Sequence, residues 1–122
     1  MNRLTYWLYV TQEISLLKDA FAEVFEVADF DRDYENVWEW IEGTSTWLNA
    51  GINIRREHNW QTGEYDKPLW IWVTYEQKPS DKQIEEIGLR LSQKFNQEVF
   101  FGELDYVWGG DYQFDVQANF KP

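Results

Sequence analysis

A strand pattern that gives way twice to a helical one constrains the fold of this chain more than any other feature. Tyr6-Trp7-Leu8-Tyr9-Val10-Thr11 and Leu69-Trp70-Ile71-Trp72-Val73-Thr74 share an aromatic and aliphatic pattern that ends in Val-Thr. Each run leads into a helical stripe. After the first, Leu16, Leu17, Ala20, Phe21, Val24 and Phe25 recur at helical spacing while Lys18, Asp19 and Glu23 face away. After the second come Ile84, Ile87, Gly88, Leu91 and Phe95. A strand period that gives way twice to a helix period predicts an α+β fold. The expected form is an antiparallel sheet of about five strands with two main helices on one face. A duplicated β-α-β unit would make it ferredoxin-like.

The remaining elements follow from local signals. Arg3 to Val10 reads as the first strand, with Thr11 able to cap the helix after it. Gly51 to His58 and Leu69 to Tyr75 read as a hairpin joined by the loop Asn59 to Asp66. Ser80 and Gln83 have capping-box spacing and open the second helix. Val99 to Trp108 and Tyr112 to Phe120 read as two strands joined through Gly109-Gly110.

The segment from Glu26 to Gly43 supports two readings. Asp29, Asp31, Asp33 and Glu35 alternate with Phe30, Arg32 and Tyr34, as in a strand or extended loop. Asp33 also fits as the cap of a short helix, with Tyr34, Val37, Trp38 and Ile41 on one face and Gly43 at its end. The short helix is the expectation here, because cap, stripe and glycine agree.

With 122 residues, the chain suits a single domain, 1–122. Its hydrophobic content of 43% offsets the self-repulsion of a net charge of −11. There is no Cys, which removes disulfides, thiol catalysis and cysteine-based zinc sites. The apolar start is too short for a signal peptide and no stretch is long enough to span a bilayer, so a cytoplasmic location is expected. The eight Trp, seven Tyr and eight Phe exceed the needs of a core this size and point to a binding surface.

The charge is gathered in one place. Glu13 to Glu42 holds ten carboxylates against Lys18 and Arg32, whereas Gly51 to Glu98 is near balance. A one-sided field steers basic partners and repels nucleic-acid backbones and anionic membranes.

Motifs for chemistry are weak. His58 is the only histidine, and no Ser or Thr stands in an elbow-like glycine context for a nucleophilic relay. In the hairpin reading His58 lies near Glu64 and Asp66, which suits a structural or pH-sensitive pair. Asp29, Asp31 and Asp33 have calcium-loop spacing, but Tyr34 and Trp40 stand where Gly and Glu are required. No phosphate-binding glycine loop precedes a helix. Arg55-Arg56 is expected to pair with acids across the hairpin or to anchor the loop after it. Paired carboxylates with Trp platforms would serve a sugar-binding or hydrolytic domain, though with 22 acids some pair is inevitable. No catalytic residues, cofactor or metal site are assigned.

The best-defined candidate is an acid-and-aromatic interface. Its partner-binding residues are Asp29, Asp31, Asp33, Glu35, Glu39, Trp40 and Glu42, with Trp60 from the later loop. On the expected short helix Glu35, Glu39 and Glu42 would share one face, and Trp38 would point to the core. In its general character, carried by Asp29 to Glu42 and by Asn53 to Trp60, the chain resembles the small acidic cytoplasmic immunity proteins of bacterial toxin–immunity pairs. The resemblance implies a non-catalytic protein that neutralises a basic partner, most plausibly by occluding a toxin nuclease. Two alternatives are an acidic DNA mimic that inhibits a nucleic-acid enzyme and a small carbohydrate-binding or hydrolytic domain.

Overall fold

A computed structural model describes residues 2–58, 61–62, 67–107 and 111–122; for residues 105–107, 111 and 112 it describes the backbone alone. The elements in order are β1 (Arg3–Leu8), a 3-10 turn (Ile14–Leu17), α1 (Lys18–Phe25), β2 (Asp31–Glu35), β3 (Trp38–Ser45), β4 (Ala50–Glu57), β5 (Leu69–Thr74), α2 (Asp81–Phe95), β6 (Val99–Val107) and β7 (Asp111–Phe120). The seven strands of the described residues form one antiparallel sheet in the order β2-β3-β4-β5-β1-β6-β7.

The α+β class and the two helices match the expectation, and the strand count does not. The central strands β4-β5-β1-β6 run side by side, with α1 following β1 and α2 linking β5 to β6. Two strands, β2 and β3, extend this core at one edge and β7 at the other. The sheet is therefore wider than five strands and is not a simple ferredoxin-like sheet.

The largest correction concerns residues 33–42. They form a hairpin instead of a short helix, with Glu35 paired to Trp38 across the two-residue loop Asn36-Val37. Asn36 supplies the positive φ, 56°, that such a tight loop needs. β3 then pairs with β4 along its whole length, from Trp38↔Glu57 to Ser45↔Ala50. A sheet edge offering eight partners outweighs a local helix cap worth about 1 kcal/mol.

Both helices cover one face of the sheet. Tyr6 and Leu8 from β1, Ile41 from β3, Ile52 and Ile54 from β4, and Leu69, Ile71 and Val73 from β5 are buried there. They meet Phe21, Val24 and Phe25 of α1 and Ile87 and Leu91 of α2. A Cβ at Gly88 would run into the Phe120 ring, so this glycine lets α2 lie close to β7. The capping box at Ser80 and Gln83 is present. In α1, Thr11 does not cap; the chain enters through the 3-10 turn, with Glu13 before it. Arg90 of α2 donates to the Val24 carbonyl at the end of α1 and stacks on Trp47 at 3.9 Å. No helix of the described residues is long and apolar enough to cross a membrane.

Candidate functional site

The face of the sheet turned away from the helices carries the candidate site. Strand alternation decides which residues appear there. Along β3, Glu39 and Ile41 are buried on the helix side, so Trp38, Trp40 and Glu42 face the other way. On β5, Leu69, Ile71 and Val73 enter the core and Trp70 and Trp72 point outward.

These residues form cross-strand rows. One row reads Asp33, Trp40, Arg55, Trp70, Trp7, Phe100 and Asn119 from one edge of the sheet to the other. Beside it on one side lie Asp31, Glu42, Asn53, Trp72 and Thr5. On the other side Trp38 sits between Glu35 and Glu57. Acids therefore occupy the β2 edge and indoles the middle.

Cations stitch the indoles together. The Arg55 guanidinium carbon lies 4.2 Å from the Trp72 ring centre, 5.3 Å from Trp40 and 5.7 Å from Trp38. Arg3 lies 3.8 Å from the same Trp72 ring. Arg55 also donates from Nε to Asn53 Oδ1 at 3.1 Å. Trp7 meets Trp70 and Phe100 edge-on at 6.4 and 5.2 Å. The Trp72 indole N–H is shielded from water and has no acceptor among the described residues.

The β6–β7 hairpin folds over part of this face. Pairing of β6 with β1 ends at Thr5↔Gly102, while pairing with β7 continues to Val107↔Asp111. A bulge lies at Phe101/Gly102, and bulges bend and twist the strand that carries them. A Cβ at Gly102 would collide with the Asp115 carbonyl, so the close approach there requires glycine. Beyond the bulge the arm brings Phe114 to 5.3 Å from Trp70. Leu104 closes a pocket of about 200 Å³ with Trp38, Arg55, Glu57, Trp70 and Trp72.

The expected site residues divide into three groups. Asp31, Asp33, Glu35, Trp40 and Glu42 lie together on the non-helical side of the β2–β3 hairpin. Asp29 precedes β2 and lies beside Lys18 and Asp19 of α1, apart from that group. Glu39 does not share a face with Glu35 and Glu42: it is 2% exposed on the helix side, and its Oε2 accepts from Arg32 at 3.1 Å. Trp38 is likewise reversed and faces away from the core. Trp60, the Asn59 to Asp66 loop and Gly109-Gly110 fall on or include positions outside the described residues.

Arg55 and Arg56 part company for the same reason of alternation. Arg55 stacks on Trp rings, whereas Arg56 is 1% exposed and donates to the Val10 carbonyl at 2.7 Å and the Gln12 carbonyl at 2.5 Å. It ties β4 to the link between β1 and α1. His58 is buried, and its backbone N–H donates to the Val37 carbonyl at 2.6 Å. Among the described residues no three acids or histidines are placed to hold a metal ion.

The Trp70, Trp72, Trp7 and Arg55 cluster is absent from the sequence-based expectation. Its signal was present in Leu69-Trp70-Ile71-Trp72-Val73, where period-2 alternation sends both Trp to the side opposite the aliphatic residues. No family model, curated protein or solved structure matches this chain.

Proposed function

We propose that this protein is a non-catalytic, cytoplasmic binding domain that captures a basic protein partner, in the manner of an immunity protein occluding a toxin nuclease. One observation carries the reading. Asp31, Asp33, Glu35 and Glu42 stand beside Trp38 and Trp40 on one side of one hairpin. Among the described residues none of the four carboxylates is in an ion pair: Asp33 accepts the Tyr34 backbone N–H, and Glu42 accepts from Asn53 Nδ2.

Unpaired surface acids of one sign accelerate encounter with a basic surface. Half-buried Trp beside them supplies the desolvated contact that slows dissociation. The acid row on β2 spans only three alternating residues, which suits one compact patch better than the elongated array of a DNA mimic. Its short, charged strand, with the Tyr34 N–H covered by Asp33, also resists pairing with stray strands. The sugar-binding reading keeps one supporting observation, the Trp-walled pocket under the β6–β7 arm. The test of the leading reading is capture of a basic protein at low ionic strength, and its loss when the four hairpin carboxylates are neutralised.

A further inference from the structure

The pocket under the arm has a composition that selects its occupant. Three indoles, Trp38, Trp70 and Trp72, and the Leu104 side chain form its walls. Among the described residues its one carboxylate is Glu57, which is exposed and in register with Trp38. Among the described residues Glu57 has no cationic partner. Glu35 flanks Trp38 on its other side. Aromatic faces beside a carboxylate attract cations, through the ring quadrupole and by charge.

The protein's own side chains display this chemistry. Arg3 and Arg55 both lie over Trp72. Arg55 leans toward Trp72 and Asn53, and it lies 4.2 Å from the Trp72 ring centre against 5.7 Å from that of Trp38. The Trp38 wall of the pocket is thus farther from the resident cation than the Trp72 wall. At about 200 Å³ the pocket is smaller than sites that hold drug-sized ligands, and it matches a single side chain.

We infer that this pocket seats one cationic side chain, lysine or arginine, of a basic protein partner, with the aliphatic stem against Trp38, Trp70 and Leu104 and the charged head at Glu57. The inference rests on the basic-partner reading and assigns its anchor point. Interfaces concentrate their affinity in such buried anchors, while surrounding charges act mainly on encounter.

The test is a nuclear magnetic resonance titration of the whole protein with a capped trilysine peptide at low ionic strength, following the indole N–H signals. Methyl β-glucoside serves as the neutral comparison. The Trp38 and Trp70 signals should move most on adding trilysine. Glu57→Gln should weaken that response roughly fivefold, and Asp31→Asn much less. If trilysine shifts only the β2–β3 acids and their neighbours, or if both substitutions weaken binding equally, the anchor assignment falls and the basic-partner reading stands. Trilysine moving nothing on this face would overturn both. Shifts of Trp38 and Trp70 with the glucoside but not with trilysine would assign the pocket to a sugar and overturn the inference.

Discussion

The Arg55 guanidinium lies 4.2 Å from the ring centre of Trp72, one strand over and two residues along from its register partner Trp70. This contact joins the acidic edge of the sheet to its aromatic middle, because Arg55 also lies within reach of Trp40 and Trp38 on β3. Arg55→Met keeps much of the stem and removes the charge. It should cost about 1–2 kcal/mol. Urea denaturation gives the loss, and the near-ultraviolet dichroism of the Trp cluster should change with it.

Glu39 is buried, and Arg32, about one-third exposed, is its ion-pair partner. Arg32→Ala leaves a buried carboxylate whose Oε1 already has no donor among the described residues. The expected cost is about 1–3 kcal/mol, less than for a fully buried pair because Arg32 is partly hydrated. Glu39→Gln should leave partner capture unchanged, since the side chain lies on the helix side of the sheet. Thermal unfolding measures the first effect and a binding assay the second.

Gly102→Ala places a methyl group against the Asp115 carbonyl at the bulge. The arm must shift to accept it, at a cost of about 1–3 kcal/mol. Phe114 and Leu104 should then loosen from the Trp face. Tryptophan emission should move to longer wavelength even at temperatures where the protein stays folded.

Burial pushes the Tyr6 phenol well above its ordinary value, and its hydroxyl donates to the Ile84 carbonyl at 2.7 Å. The unfolded chain ionises this group near pH 10 and the folded chain does not. The stability associated with the neutral phenol is therefore complete below about pH 10 and declines above it. Tyr6→Phe should lower stability by about 1 kcal/mol at neutral pH and flatten the alkaline loss. Unfolding curves measured from neutral to alkaline pH check both statements.

Much of the framework was legible because local and tertiary signals agreed. Ser80 and Gln83 announced α2, and the alternation in Gly51 to His58 and Leu69 to Tyr75 announced β4 and β5. Residues 33–42 mislead at the level of sequence because Tyr34, Val37, Trp38 and Ile41 fit a helical face as well as a strand. The deciding forces were the Asn36 turn and the long pairing with β4, neither of which is visible in a window of ten residues. The same error placed Glu39 with Glu35 and Glu42, because a helix groups i, i+4 and i+7 whereas a strand separates Glu39 from both. The pocket was illegible for a different reason: Leu104 reaches Trp38 only through the bend at Gly102.

The most direct measurement of the central claim compares three immobilised proteins of this chain at low ionic strength. One is the native protein. The second carries Asp31→Asn, Asp33→Asn, Glu35→Gln and Glu42→Gln. The third has the same net charge as the second but carries Asp19→Asn, Glu23→Gln, Glu76→Gln and Glu85→Gln, away from the hairpin. Each is offered the same cytoplasmic extract, and retained proteins are identified by mass. The account predicts one basic protein held by the native and third forms, released by salt and missing from the second. Equal retention by the second and third forms would contradict it, because binding would then depend on total charge and not on the β2–β3 hairpin.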